Sequence, residues 1–358
     1  MKKISIVILI LLVNMPALFA GNKDRTGQAG AYELLINPWA RSSGWHGLNS
    51  GSVHGLEAIN LNVGGLAFTN KTEVIFAHSI YLKGTGININ AFGFSQKLGK
   101  SGGVLGLDVM SMSFGDIMVT TVNSPEGGLG YYHPQFINLG LAYAKTFSNS
   151  IYGGIVVRGI TEGVADAKAA GLSFDAGIQY KTGDKQFTDR VKFGISLRNI
   201  GTPIKFQGDA LTYKGSAAAG DYQMTVSQRS QQFELPSLLN IGGSYDFHFG
   251  KDIEGEENKT QSRVTLAANF TSHSFQRDQI GAGLEYSLKD EFMFRVGYNY
   301  EAGLLGEETR TNVYTGIAGG FTIEIPTKKA GPTVGIDYSY RATNPWSGTH
   351  TLGARINL

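Results

Sequence analysis

The chain has 358 residues and a formal net charge of +2, so its charge indicates no polyanionic partner such as nucleic acid. It contains no Cys, which excludes a lipid-anchored protein acylated at Cys, a disulfide framework and a thiolate metal site. Gly is frequent at 49 residues, and 16 Tyr and 20 Phe are present. This composition alone permits a secreted β-sandwich, so the pattern along the chain has to decide the fold class.

Residues 1–20 have the features of a secretory signal peptide. Lys2 and Lys3 supply the positive start, Ile4–Val13 is an apolar run, and small residues up to Ala20 suit cleavage. The apolar run is shorter than the roughly 20 residues that a membrane-spanning helix needs. We therefore predict an exported protein with 1–20 as its signal peptide.

The segment 21–70 has no regular alternation of apolar and polar residues. It contains a candidate short helix at 29–36 and a candidate helical turn at 56–59. A segment of this length is too short to form a core of its own. We therefore expect it to pack against the rest of the chain.

From about residue 72 onward, apolar and polar residues alternate in segments of strand length. Leu172–Lys181, Val191–Arg198, Phe292–Glu301 and Val334–Arg341 show this period of two most clearly. Fourteen segments are predicted, at roughly 72–83, 85–97, 103–114, 135–147, 150–161, 171–182, 190–199, 236–249, 261–272, 279–288, 292–301, 313–325, 332–341 and 349–358.

Three features favour a transmembrane β-barrel over a sandwich. The number of strands is even, and each strand is long enough to cross a membrane. The two longest links, about 115–134 and 200–235, fall on the same side, which is the extracellular side if both termini are periplasmic. Aromatic residues cluster near strand ends, as in the interfacial belts of membrane barrels. We predict that 71–358 forms an antiparallel barrel of 14 strands in the outer membrane.

In such a barrel, the apolar side chains face lipid and the polar side chains face the lumen. Seven charged residues of the strands lie on the polar face, where opposite charges can pair: Asp175, Lys192, Arg198, Glu285, Arg295, Asp337 and Arg355. The segment 21–70 is predicted to fold into this lumen as a plug or to line the periplasmic mouth. Trp39, Arg41 and Trp45 are the predicted plug residues. His78, on the first strand, fits neither face well.

Nothing in the sequence indicates an enzyme or a bound cofactor. The seven His are scattered, and none forms a zinc-binding pair at helical spacing. Asp175, Glu285 and Asp337 are carboxylates on the polar face, for which ion pairing in the lumen is a simpler interpretation than acid–base catalysis. We predict no catalytic residues, no metal site and no cofactor.

The two long loops are rich in exposed-type aromatic residues, which are good material for contacts with other proteins. The alternative is that these loops fold over one another as a lid. The candidate partner-binding residues are Leu129, Tyr131, Tyr132, Phe206, Tyr213, Tyr222 and Phe233.

Several segments resemble the PorV/PorQ family of Bacteroidota outer-membrane proteins. Ala29–Ile36 followed by Ala40–Ser42 is similar to the opening stretch of that family, and Gly55–Ala67 is similar to a segment further along it. Leu197–Gly201 resembles a strand end of the family before a long loop, and Asp337–Tyr340 with Gly348–Gly353 resembles its last two strands. The sequence departs from the family pattern at Val63–Gly64, at Pro38–Trp39 and in ending with Leu358.

The resemblance implies a FadL-like barrel with a role in type IX secretion. Members of the family accompany the translocon barrel, accept exported proteins or anchor part of the surface attachment complex. The leading hypothesis is therefore a barrel subunit or shuttle that binds protein partners or cargo through its extracellular loops, in contact with outer-membrane lipids. The alternative is a FadL-like channel for hydrophobic solutes, which predicts an apolar lumen and a gap in the barrel wall. A structural barrel recruited to another outer-membrane machine is a third interpretation.

Overall fold

The computed structural model describes residues 21–99, 102–184, 187–216, 222–252, 260–306, 308–327 and 331–358. The predicted signal peptide, 1–20, lies outside the described residues. Among the described residues, no helix is long and apolar enough to cross a membrane.

The chain forms one closed, antiparallel β-barrel, and this confirms the predicted fold class. Each strand pairs with the next along the chain, and the last strand pairs with the first from Glu73↔Asn357 to Ile80↔His350. We call this last pairing the closing seam. The barrel strands are β1 Thr72–Ile80, β2 Asn88–Lys97, β3 Val104–Ser113, β4 Gln135–Thr146, β5 Ile151–Val164, β6 Ala167–Thr182, β7 Val191–Gly201, β8 Leu238–Asp252, β9 Thr260–His273, β10 Gln279–Leu288, β11 Phe292–Glu301, β12 Tyr314–Pro326, β13 Thr333–Thr343 and β14 Thr349–Asn357.

The orientation of the side chains follows from the period of two. On β6, Phe174 and Ile178 are 54% and 57% exposed, whereas Ser173 and Asp175 between and beside them are buried. In a water-soluble sandwich the apolar face would be the buried one. The exposed apolar wall is therefore typical of a transmembrane barrel whose outer surface contacts lipid.

The connections are asymmetric. Links 114–134 and 202–237 join β3 to β4 and β7 to β8, and both lie at the same end of the barrel. We call this the loop end and the opposite end the turn end. Loop 202–237 is not structureless, because it contains a hairpin of Thr212–Ser216 paired with Gln223–Ser227.

The segment 21–70 contains short helical turns and no barrel strand. A 3₁₀ helix at Tyr32–Leu35 replaces the longer helix expected from the sequence, and it ends where Asn37 and Pro38 begin. A single α-helical turn follows at Ala40–Ser43. Two further 3₁₀ helices span Leu56–Asn60 and Val63–Phe68. Tertiary contacts must hold these turns, because helices this short are unstable alone.

Candidate functional site: the filled lumen of the barrel

The segment 21–70 packs against the inner faces of the strands. Trp39, Leu56 and Leu66 are fully buried, and they belong to an apolar cluster that also contains inward-facing residues of β1–β5. Gly93 on β2 makes room for this packing, because a Cβ atom there would overlap the side chain of Leu56. The predicted plug residues Arg41 and Trp45 are buried in the same segment.

Side chains of the barrel also satisfy backbone carbonyls of the segment, which buried carbonyl groups require. These contacts reach the segment from β5, β6 and β7. Arg158 Nη2 donates to Ile59 O at 2.7 Å, Gln179 Nε2 donates to Val53 O at 2.8 Å, and Ser196 Oγ donates to Leu61 O at 2.7 Å.

A buried charged cluster joins the segment to the closing seam. Arg41 pairs with Glu324 at 2.7 Å and with Asp337 at 3.3 Å. Arg355 pairs with Glu57 of the segment, with Glu73 on β1 at 2.8 Å and with Asp337 at 3.2 Å. The side chains of the other five members of the cluster are at most 15% exposed: Arg41, Glu57, Glu73, Glu324 and Arg355. Because breaking a buried ion pair leaves an uncompensated charge, this cluster fixes the segment strongly.

A second buried ion cluster lies on the opposite part of the wall. Arg158 on β5 pairs with Asp175 at 2.8 Å and with Asp108 at 3.2 Å, and all three side chains are at most 2% exposed. Asp175 also accepts the backbone N–H of Asn199 at 2.7 Å, where the pairing of β6 with β7 shifts register. Asn199 has a φ of 59°, a conformation that Asn tolerates better than most residues.

The inner wall is chemically uneven, which differs from the polar lumen expected from the sequence. The expectation is correct for β8–β14, where Thr265, Arg295 and Thr351 are typical inward residues. It is wrong for much of β1–β5. The inward residues there include Ile75, Ala77, Ile89, Ala91, Met110, Met112, Phe136, Ala142, Val156 and Ile160.

Near the loop end, the apolar inner wall forms a second cluster with residues from outside the strands. Leu34 of the segment and Ile204 and Leu235 of loop 202–237 are buried in it. Phe206 and Phe233, two of the predicted partner-binding residues, pack against this cluster. Loop 202–237 therefore folds partly into the lumen, and these two residues pack inside the barrel.

The other predicted contact residues lie on the surface of the loops. Leu129, Tyr131, Tyr213 and Tyr222 are 56%, 62%, 57% and 61% exposed. Tyr132 is half-buried and pairs with Ile117 in a short ladder within loop 114–134. These residues do not converge with the buried charged cluster, so the loop surface and the lumen are separate candidate sites.

A cavity of about 880 Å³ lies beneath the segment, towards the turn end. Ionisable residues of both signs line it, including Lys181, Lys192, Asp246 and Glu285. Lys192 and Asp246 form an ion pair across β7 and β8. The cavity is therefore a polar vestibule and not an apolar pocket.

Two His of the segment are held neutral. Burial, with Arg341 nearby, lowers the pKa of His46 to about 4. His54 is exposed to the vestibule but surrounded by the barrel, and enclosure together with Arg41 and Arg355 lowers its pKa to about 4. Within the described residues, no group of three or more His, Cys, Asp or Glu could hold a metal ion.

Sequence reasoning missed the residues that fix the segment, Glu57 and Arg355 above all. They are 298 residues apart, and no local pattern marks them as partners. The only signal was that Arg355 lies on the polar face of the last predicted strand. His78 was ambiguous, and the structure places it on the outer face between Phe76 and Ile80.

The closed barrel, its exposed apolar wall and its filled lumen define a β-barrel of the outer-membrane type. The structure is similar to the toluene transporter TodX of Pseudomonas putida, with a TM-score of 0.54 and 10% identity over 90% of this chain and 97% of TodX. A TodX mutant described as a monoaromatic hydrocarbon channel gives a TM-score of 0.54 and 13% identity, over 89% of this chain and 98% of that one. A FadL homologue of Pseudomonas aeruginosa gives a TM-score of 0.49 and 10% identity, over 88% of this chain and 96% of that one.

These neighbours are named as transporters and channels and not as enzymes. At such low identity the two TodX structures establish the fold only. No model of a known protein family matches the sequence. No curated protein sequence is significantly similar to it. The resemblance to the PorV/PorQ family therefore stays a prediction.

Proposed function

We propose that this protein is a FadL-like outer-membrane channel for hydrophobic solutes, in which the segment 21–70 acts as a movable plug. The apolar inner wall of β1–β5 is the observation that carries this proposal. Water-filled barrels have polar interiors. An apolar interior instead suits a solute that leaves water for hydrocarbon-like surroundings.

The route begins in the apolar cluster at the loop end, which contains Met112 and Ile160 and against which Phe233 packs. It continues along the apolar cluster around Leu56 and ends in the polar vestibule. Packed side chains fill both clusters, so passage requires the segment to shift. The named cargo of TodX, toluene, is a suitable first probe of the same chemical class.

Uptake into vesicles tests the proposal. The full chain is reconstituted, and entry of radiolabelled toluene is compared with entry into protein-free vesicles. Met112→Gln places an amide on the proposed route, and an unpaired amide in apolar surroundings costs about 1–3 kcal/mol. We expect uptake to fall at least fivefold or so.

Met224→Gln is the matched control, because Met224 is 46% exposed on the hairpin of loop 202–237 and belongs to neither apolar cluster. This variant should transport as the wild type does. Uptake by the wild type no faster than by protein-free vesicles would refute the channel function.

A second candidate function is a protein-binding subunit or shuttle of type IX secretion. The exposed loop residues Tyr131, Tyr213 and Tyr222 support it, together with the family-like segment Ala29–Ile36. Crosslinking through loops 114–134 and 202–237 in intact cells should then capture a translocon or attachment protein.

Tyr213→Ala should weaken this capture, whereas Tyr298→Ala on the lipid-facing wall should not. Normal secretion after deletion of the gene, with no protein captured, would remove this candidate. The two candidates are separable, since vesicle uptake needs no partner protein.

A further inference from the structure

Several polar side chains face outward at the loop end of the closing seam, where the wall should be apolar. His78 on β1 lies beside Asn90 on β2, and Asn90 pairs across with Ser111 on β3. His350 on β14 pairs with Ile80. We call Lys83, His78, Asn90 and His350 the seam patch.

The seam patch lies within or at the edge of the membrane, because the strands there are short. β1 and β14 have 9 residues each, whereas β6 has 16. Crossing a membrane takes about 9–11 residues of a tilted strand. On β2, only Phe92 and Phe94 separate Asn90 from Gln96 on the outer face. Polar groups at this depth are unfavourable against hydrocarbon, so something polar must cover them.

The two imidazole rings are oriented by neighbours through Nδ1. His78 Nδ1 lies 2.9 Å from Asn90 Oδ1, and His350 Nδ1 lies 2.8 Å from the hydroxyl of Tyr338. In the described part of the chain, neither Nε2 atom has a hydrogen-bond partner. Asn90 Oδ1 can only accept, so His78 Nδ1–H donates to it and leaves the amide N–H groups of Asn90 for an external ligand. When the Tyr338 hydroxyl donates to His350 Nδ1, the Nε2–H of His350 is likewise left for an external acceptor.

The exposed charge on the strands and turn of the seam patch is positive. Lys83 is exposed, and its backbone N–H donates to Gly348 O at 2.7 Å, two residues before His350. In the described segments 72–97 and 333–358, the acidic residues are Glu73 and Asp337, and both are buried in the lumen. These two segments therefore present no exposed carboxylate to an anionic ligand, and Asp116 of the adjoining loop 114–134 is paired with His133 at 2.9 Å.

We propose that the seam patch binds the phosphate of a phosphorylated glycolipid headgroup in the outer leaflet. Lys83 supplies the ammonium, and the Nε2–H of His350 and the amide N–H groups of Asn90, whose oxygen is held by His78, supply hydrogen bonds. The loop end faces the outer leaflet, because long loops of such barrels are extracellular. Tyr340 and Trp346, each 37% exposed, lie nearby and suit the membrane interface.

Lipid binding to the purified full chain in detergent micelles tests the proposal. Native mass spectrometry measures the affinity for bisphosphorylated lipid A and for the same lipid after enzymatic dephosphorylation. We expect the wild type to prefer the phosphorylated lipid at least tenfold or so, and a variant with Lys83→Gln and His78→Leu to lose about this preference.

Lys168→Gln is the matched control, because Lys168 is an exposed lysine at the loop end of β6, far from the seam. It should leave the preference unchanged. Misfolding is checked in phospholipid vesicles without lipid A, where His78→Leu should fold at least as well as the wild type because it removes a polar group from the lipid face.

Equal binding of the two lipids, or an unchanged preference in the double variant, would overturn the proposal. Crosslinking from Lys83 in native membranes that captures a second barrel in place of lipid would overturn it as well. Neither experiment depends on solute uptake, so the outcome is independent of the proposed channel function.

Discussion

The ion pair between Glu57 and Arg355 should control how firmly the segment 21–70 is held in the lumen. Glu57 is 2% exposed, pairs with Arg355 and accepts the backbone N–H of Ser42 at 2.9 Å. Glu57→Gln keeps the volume and an acceptor for Ser42 but removes the negative charge. Arg355 keeps Glu73 and Asp337 as partners, so its own charge stays compensated.

A hydrogen bond to a charged group contributes about 1.5–3 kcal/mol. Because Arg355 stays paired, we expect a loss near the lower end, about 2 kcal/mol, confined to docking of the segment. That loss raises the population of the released segment about 30-fold. The barrel should keep its folded form, since no strand pairing is altered.

Labelling of a single introduced cysteine measures this release, because the natural chain contains no Cys. Ser43→Cys is a conservative reporter in the segment, at a position only 1% exposed. The rate of maleimide labelling should rise about 30-fold in the Glu57→Gln background. Glu291→Gln, which removes a carboxylate lining the vestibule, should leave the rate unchanged. A rate for Glu57→Gln within twofold or so of the wild type would refute the reasoning.

Three further variants test the buried charges, the buried His46 and the lipid-facing side of the barrel wall. Arg158→Met leaves Asp108 and Asp175 buried without their cation, so the free energy of unfolding in urea should fall by about 3–5 kcal/mol at pH 7 and recover partly in acid. His46 has a folded pKa of about 4 against 6.5 unfolded, so its stabilising contribution is present above pH 6.5 and is lost as the pH falls towards 4. The wild type should therefore lose up to about 3 kcal/mol more than His46→Gln between pH 7 and 4, and parallel curves would contradict this. Phe174→Arg places a charge on the lipid face and should destabilise the barrel in vesicles by about 2–4 kcal/mol, whereas a soluble-type fold would tolerate it.

The number, order and facing of the strands could be predicted from the sequence. Alternation fixes which side chains share a face, and each strand of the described barrel corresponds to a predicted segment. The prediction was most accurate for segments such as Phe292–Glu301, whose strand bounds agree with it. A membrane barrel needs nothing beyond this pattern to define inside and outside.

The apolar half of the lumen could not be predicted, for a physical reason. In Val74–Ala77 consecutive residues are apolar, so the outward and inward faces of β1 have the same character. A period of two carries information only when the two faces differ. Packing of the segment against Ile75 and Ala77 is what makes an apolar inner face stable.

The sequence alone determined that this chain forms a closed barrel with a lipid-facing wall, because alternation is a local property of each strand. Only the tertiary structure decided which charges meet inside. Arg355, Glu57 and Asp337 come together through the closing seam and the register of β13, β14 and β1. Register depends on how all strands close around the segment, and no local pattern of residues contains that information.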